Sequence, residues 1–122
     1  MSAELPPEAQ EKLQNLQELQ EQLTQLNLQR QQTQERLSEI ERALDALEEA
    51  DEDASIYRTA GGVMVEAAHD EVNADLEEEQ ETLEVRSQSL ENKEERARER
   101  FQGLQQEVQQ MLGGAGLGGP AQ

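Results

Sequence analysis

A row of mainly apolar residues, most of them leucine, runs along the first half of the chain in alternating steps of three and four. This first row consists of Leu16, Leu19, Leu23, Leu26, Arg30, Thr33, Leu37, Ile40, Leu44 and Leu47. A second row, with a spacing of seven, consists of Leu76, Leu83, Leu90, Ala97, Leu104 and Met111. A 3.5-residue repeat keeps one stripe of a helix facing a partner helix. The two rows therefore predict two long helices that form a coiled coil.

The segment between the rows has the composition of a β-hairpin. Residues 55–60 and 63–68 carry β-branched or aromatic side chains, and Gly61 and Gly62 suit a two-residue turn. An isolated pair of strands is marginally stable in water and leaves two edges unpaired. We therefore expect hairpins from several subunits to pair edge to edge and close an intersubunit β-barrel. The apolar residues expected at this interface, the hairpin surface, are Ile56, Tyr57, Val63, Met64 and Val65. The alternative is a hairpin that only caps the coiled coil.

The fold class predicted from these patterns is mainly α, a long antiparallel two-helix coiled coil with one β-hairpin insert. Pro7 suits the first turn of helix 1, and Asp70 is expected to be the N-cap of helix 2. Residues 1–112 are expected to form a single domain. Its expected parts are helix 1 over about 7–50, the hairpin over about 55–68 and helix 2 over about 71–112, followed by a flexible Gly-rich tail over 113–122.

The two rows share one heptad repeat, so the helices can fold back on each other without a skip. If Leu47 faces Leu76, then Leu26 faces Ala97. In this register, each apolar residue of the helix 2 row is followed three positions later by a polar residue that also faces helix 1. The long stems of these polar residues can cover the leucine stripe of helix 1 while their charges reach water. These polar residues are Glu79, Arg86, Lys93, Arg100 and Glu107. The register is left open locally, because it places Arg30 against Lys93.

The charge of the chain narrows the classes of partner. There are 28 acidic and 10 basic residues, which give a formal net charge of −18, and the mean hydropathy is −0.95. Nucleic acids and anionic membranes are disfavoured as partners, because phosphate binding needs a basic face. The acidic excess is either an ordinary solvated helix exterior or an adaptation to molar salt, where the Debye length is about 3 Å. We favour the second interpretation and expect a halophilic source.

No residue pattern predicts a catalytic, cofactor or metal site. Residues 114–119 match G-x-G-x-x-G but precede a proline and not a helix, and the acidic segment 51–55 lacks the glycine of a calcium loop. His69 is the only histidine, is expected in the loop before helix 2, and the chain has no cysteine. We expect no enzyme activity. Because neither a targeting segment nor a long apolar stretch is visible, we expect a cytoplasmic protein.

The open end of the helix pair, away from the hairpin, is rich in apolar residues. We name it the tip surface; its members are Leu5, Leu13, Leu16, Leu19, Phe101, Leu104, Val108, Met111 and Leu112. Leu13, Phe101, Val108 and Leu112 lie off the strict stripe, so the apolar face widens here. Such a face either packs the tip more fully or makes transient contacts with unfolded polypeptides, for which leucine and methionine are well suited.

The hairpin and the start of helix 2 resemble one known family. The residues that carry the resemblance are Tyr57-Arg-Thr-Ala-Gly-Gly-Val-Met-Val65, Asp70-Glu-Val72, Leu76, Leu83, Arg86, Leu90 and Glu94-Glu-Arg96. With them, the chain resembles prefoldin, and in particular the β class of archaeal prefoldin subunits, from Leu5 to about Met111. A single hairpin fits the β class, since the α class inserts two.

The resemblance implies both an assembly and an activity. The assembly is a hexamer of two α and four β subunits, with hairpins joined into β-barrels and helices projecting as coiled-coil tentacles. The implied activity is ATP-independent capture of unfolded polypeptides at the tips, followed by transfer to a group II chaperonin. The alternative function is a non-chaperone coiled-coil scaffold or tether in a larger complex.

Overall fold

The computed structural model of the protein describes residues 5–114. Its elements, in chain order, are α1 (Pro7–Glu49), β1 (Ile56–Ala60), β2 (Val63–Ala67) and α2 (His69–Gly114). The strands form one two-stranded antiparallel sheet. The predicted fold class, two long helices joined by one hairpin, is confirmed.

The ends of the helices follow local backbone chemistry. α1 begins at Pro7, whose missing N–H costs nothing in a first turn, and Glu8 places a negative charge at this positive helix end. α2 begins earlier than expected, because the Val72 amide already donates to the Ala68 carbonyl at 3.0 Å. Asp70 is therefore inside the first turn, and its predicted role as N-cap is wrong.

The far end of α2 also differs from the expected boundary. The helix continues through Gly114, two residues beyond the expected end, so the first two residues of the predicted tail are helical. The rest of that tail, residues 115–122, lies outside the described residues.

Two compact units make up the described chain. One consists of residues 5–29 and 90–114, and the other of residues 30–89. In the first unit, Leu26, Leu90 and Ala97 form a buried cluster against which Leu19 and Leu23 pack. The expected proximity of Leu26 and Ala97 is confirmed, and α1 and α2 lie antiparallel in this unit.

The unit of residues 30–89 has a small core and polar contacts at its margin. Ile40 is fully buried, and Leu47 and Val72 are nearly so. Beside this core, Arg36 Nε and Nη2 donate to the two Glu79 carboxylate oxygens at 2.7 and 2.8 Å. The arginine therefore joins α1 to α2 through a bidentate ion pair, the strongest geometry for this pair of groups.

The inward stripe of α2 differs from the predicted one. The polar residues three positions after each apolar residue of the α2 row were predicted to cover the leucines of the seam. Of these, Glu79 is half-buried, and the exposed ones are Arg86, Lys93, Arg100 and Glu107. The inward positions lie four residues after the apolar row instead, and they are Ser87, Glu94, Phe101 and Val108.

The cost of desolvating charge explains most of this shift of the stripe, and Glu94, which is 4% exposed, is the exception. Positions i+3 and i+4 both lie close to residue i on a helix, so spacing alone does not choose between them. Ser87, Phe101 and Val108 enter the seam with little or no desolvated charge, whereas Arg86 and Arg100 would bring a guanidinium. Lys93, which the predicted register placed on the seam, is exposed.

We predict that the Arg36–Glu79 ion pair gives a pH-dependent contribution to stability. Its hydrogen bonds to Arg36 lower the pKa of Glu79 from its ordinary value of 4.5. The contribution is therefore complete well above pH 4.5 and is lost as the carboxylate is protonated at lower pH. Both side chains are about 40% exposed, at 44% and 40%, so we expect only about 0.5 kcal/mol.

The measurement is unfolding by circular dichroism at pH 7 and below pH 4, for wild type and Glu79→Gln. We expect Glu79→Gln to be less stable at pH 7 and equal to wild type in acid. Glu78→Gln, which changes an exposed neighbour, is the control. Equal stability of wild type and Glu79→Gln at pH 7 and low salt would contradict this prediction.

Candidate functional sites: the hairpin surface and the tip surface

The hairpin is a regular two-residue turn between two five-residue strands. Its register pairs Ile56 with Ala67 at the open end and Ala60 with Val63 at the turn. Gly61 and Gly62 have φ angles of 57° and 87°. These left-handed angles are costly for residues with a Cβ, so the glycine pair sets the turn and thereby the register.

Most apolar side chains of the hairpin surface face solvent. The exposed fractions are 54% for Tyr57, 59% for Val63, 71% for Met64 and 48% for Val65, and Ile56 is half-buried. Successive strand residues point to opposite faces, so Val63 and Val65 share one face and Met64 lies on the other. Both faces of the sheet therefore expose apolar groups, in a chain that otherwise has a strongly polar surface.

One polar contact joins the hairpin to α2, and a second joins the ends of the two helices beside it. Arg58 Nη2 donates to Asp75 Oδ2 at 3.0 Å, which ties β1 to α2. His69 Nε2 lies 2.8 Å from the Leu47 carbonyl oxygen, where the ring N–H donates to the last turn of α1. His69 is thus the first residue of α2. The prediction that it lies in the loop before helix 2 is wrong.

A cleft of about 960 Å³ lies beside these helix ends. Leucine and alanine side chains form its apolar lining, and the rest is mainly polar or acidic, including Glu48 and Glu52. Within residues 5–114, no group of three or more histidine or acidic side chains is placed to hold a metal ion. No helix of this range is long and apolar enough to cross a membrane.

The tip surface lies entirely within the unit of residues 5–29 and 90–114. Val108 is 5% exposed, and the other eight members are half-buried. Leu19 and Leu104 line one groove of about 420 Å³, whose rim includes Arg100 and Glu107. The structure therefore brings residues from the two ends of the sequence together.

The expected widening of the apolar face is smaller than predicted. Phe101 and Val108 belong to the inward stripe of α2, so their apolar character is explained by packing between the helices. Leu13 and Leu112 remain off the stripe and are half-buried. The prediction that Phe101 and Val108 lie off the stripe is wrong, because the inward positions of α2 lie four, and not three, residues after each apolar residue of its row.

An ion pair at the tip was not predicted. Lys12 Nζ donates to Glu107 Oε1 at 2.7 Å and joins α1 to α2. This hydrogen bond raises the pKa of Lys12. The signal in the sequence was the heptad spacing of Leu5, Ala9, Lys12 and Leu16, which extends the α1 stripe towards its start and places a lysine on it.

Comparison with known proteins gives one consistent result. A family model described as prefoldin subunit matches residues 10–115. The prefoldin subunit beta of Methanococcoides burtonii is 39% identical over 116 residues, covering 95% of this chain and 99% of that protein. The prefoldin subunit beta of Halobacterium salinarum is 48% identical over 78 residues, covering 64% and 62%.

The structural comparison agrees with the sequence comparison. The crystal structure of the prefoldin beta subunit from Thermococcus strain KS-1 has a TM-score of 0.78 and 34% identity to this chain. The similarity covers 98% of this chain and 100% of that one. The matched length includes both helices and the hairpin, and so both candidate surfaces. The chain therefore belongs to the prefoldin family of chaperone subunits.

Proposed function

We propose that the chain is the β-class subunit of a hexameric cytoplasmic prefoldin with two α and four β subunits. In this assembly the hairpin surface binds the α subunit, and the tip surface captures unfolded polypeptides without ATP. The captured chains then pass to a group II chaperonin. The observation that carries the proposal is the exposure of an apolar two-stranded hairpin in a chain of the prefoldin family.

The hairpin surface has the properties of a sheet that can pair with further strands. Each strand has an unpaired edge, and exposed apolar side chains lie on both faces. Backbone pairing with another hairpin would satisfy the edge groups, and closure of the paired strands into a barrel would also cover the face that carries Val63 and Val65. Covering each large apolar side chain contributes about 1.5–3 kcal/mol, which favours assembly over an exposed cap.

The tip surface has the properties of a site for weak and varied contacts. Its side chains are leucine, methionine, valine and phenylalanine, which adapt to many sequences because none of them requires a matched polar partner. Weak contacts at one tip permit release, and several tips acting together raise the overall affinity through effective concentration. Neither step requires nucleotide hydrolysis.

One observation favours the alternative function, a coiled-coil scaffold or tether. Val108 is 5% exposed, so at least one tip residue is already packed between the helices. A scaffold would have a fully packed tip and no affinity for unfolded chains. Capture of a denatured protein by the assembled complex distinguishes the two functions.

The charge distribution supports adaptation to a salt-rich cytosol. Residues 30–89 carry 18 acidic and 5 basic residues, although they make up about half of the chain. Assembly through the hairpin surface would bring several of these acidic units together. Screening by molar salt removes most of the resulting repulsion, because the Debye length is then about 3 Å.

We predict that charge on one face of the hairpin prevents assembly. The double variant Val63→Asp, Val65→Asp places two carboxylates where apolar groups would be covered, at a cost of several kcal/mol. We expect unassembled subunits in sedimentation velocity after co-expression with the α subunit. Val85→Asp, at a 72% exposed position on α2, is the control and should assemble. Assembly of the double variant at wild-type size would refute the proposed edge pairing.

We predict that helicity and assembly increase as KCl rises from about 10 mM to about 1 M. The physical reason is the fall in Debye length from about 30 Å to about 3 Å, which weakens repulsion between acidic residues. Circular dichroism measures helicity, and sedimentation velocity measures assembly. Complete helicity and assembly at the lowest salt concentration would overturn the proposed salt adaptation.

We predict that removal of the tip surface abolishes capture but leaves assembly intact. A chain trimmed to residues 19–101 keeps the hairpin surface and the Leu26 cluster but lacks seven of the nine tip residues. In high salt, its complex with the α subunit should keep six subunits and fail to suppress aggregation of a denatured protein, measured by light scattering. Full protection by the trimmed complex would place the client site elsewhere and favour the scaffold function.

A further inference from the structure

A short segment of α2 exposes an excess of basic side chains in this acidic chain. Residues 93–100 hold four of the ten basic residues of the chain, and all four are exposed. The segment also exposes two glutamates, whereas its third, Glu94, is 4% exposed. Four exposed positive groups therefore stand against two exposed negative ones, in a chain whose formal net charge is −18.

Three of these basic residues form a row along α2, and we name them the basic row. Lys93, Arg96 and Arg100 are separated by steps of three and four, so they lie on one side of the helix. Within residues 5–114, neither Lys93 nor Arg100 forms an ion pair. Arg96 Nε donates to the Asn92 carbonyl oxygen of its own helix at 3.4 Å, and not to a carboxylate. The charges of the basic row are therefore not neutralised by the chain.

Basic groups elsewhere in the chain are bonded to its own carboxylates. Arg36 Nε lies 2.7 Å from a Glu79 oxygen, and Arg58 Nη2 lies 3.0 Å from an Asp75 oxygen. The chain has 28 acidic residues for its 10 basic ones, so carboxylates are plentiful. A row of basic side chains without such a bond is available to a carboxylate from another molecule.

The basic row borders an apolar groove of the tip surface. Arg100 lines the groove of about 420 Å³ together with Leu19 and Leu104. Of the two glutamates on its rim, Glu107 is already bonded to a lysine of α1, and Glu18 belongs to α1, across the seam from the basic row. The volume is within the range of ligand pockets, about 300–1,000 Å³. An extended segment could therefore place an apolar side chain in the groove and a neighbouring carboxylate on the row.

We propose that the basic row makes capture selective for unfolded segments in which acidic residues stand next to leucine or similar residues. This inference rests on the proposed capture function and names its class of client. The apolar side chain enters the groove, and the carboxylate binds Arg100 or Arg96, whose planar guanidinium can hold it through two hydrogen bonds. Such a client complements the charge of the row, although the chain as a whole has the same sign as the client.

High salt leaves a direct contact of this kind in place. The Debye length in about 1 M salt is about 3 Å, which is similar to the 2.7 and 3.0 Å distances of the ion pairs in this structure. Repulsion from the acidic unit of residues 30–89 acts over longer distances and is therefore screened more strongly. Each exposed contact changes the affinity by only about twofold, which permits release.

The first test compares two labelled, unstructured peptides that share their leucines. One consists of Leu-Glu-Gly repeats and the other of Leu-Gln-Gly repeats. Fluorescence anisotropy measures their affinity for the complex of the full chain with the α subunit, in about 1 M KCl. We expect the acidic peptide to bind about threefold more tightly. Without a contribution from the basic row, the negative chain would bind the acidic peptide no better than the neutral one.

The second test removes the charge of the row. The double variant Arg96→Gln, Arg100→Gln should weaken binding of the acidic peptide about threefold and leave the neutral peptide unaffected. The matched control is Arg42→Gln, Arg86→Gln, which removes the same charge from exposed positions of the other unit and should preserve the preference. Arg96→Lys, Arg100→Lys keeps the charge and should retain most of the preference, whereas loss of arginine packing alone would not be rescued by lysine.

Three results would refute the inference in different ways. Equal affinity of wild type for the two peptides, or a preference that survives Arg96→Gln, Arg100→Gln, would show that the basic row does not select clients, while capture itself stands. Failure of wild type to bind either peptide would refute the proposed function, and the inference with it. Sedimentation velocity without peptide gives the third: self-association of wild-type complexes that the variant abolishes would show that the row binds a second copy of this chain.

Discussion

The structure depends on one constraint: within residues 5–114, the chain leaves its own apolar hairpin exposed. Two strands with exposed tyrosine, valine and methionine lie at the ends of two helices whose surfaces are mainly acidic and amide. Burying these side chains is favourable by kilocalories per residue, but within residues 5–114 they remain exposed. The remaining features of the molecule are consistent with a protein that completes its core only in an assembly.

The seam between the helices also contains few buried apolar residues. In the unit of residues 5–29 and 90–114, the buried cluster consists of Leu26, Leu90 and Ala97. Few side chains are fully buried, and polar groups such as Glu94 occupy inward positions. Cross-helix contacts at the seam margin, of which Lys12 with Glu107 and Arg36 with Glu79 are examples, set the register with little energy each. Helices joined in this way can open locally without global unfolding.

Heptad spacing and turn chemistry were sufficient to predict the elements. The regular steps from Leu16 to Leu47 predicted α1, and Gly61 and Gly62 predicted the turn, because each pattern has one favourable structure. The seam of α2 was harder to predict, since i+3 and i+4 are both near the apolar row and the cost of burying charge, not the spacing, favours i+4 at most positions. The sequence pattern therefore places Phe101 and Val108 off the strict stripe, as a widening of the apolar face, although they belong to the inward stripe of α2.

The two candidate surfaces also differ in how much of each could be predicted from the sequence. The hairpin surface followed from local composition, because no partner for Val63 or Met64 was visible in the chain. The ion pair of Lys12 with Glu107 joins two residues 95 positions apart. The stripe spacing places Lys12 at the seam, but no local pattern identifies Glu107 as its partner.

The most direct test of the central claim is the native mass of the complex with and without a co-expressed α subunit, measured in high salt. The account predicts that this chain and the α subunit form one complex with four copies of this chain and two of α. It also predicts that this complex requires the hairpin surface. A chain that remains unassembled in the presence of the α subunit, with its hairpin intact, would contradict the account.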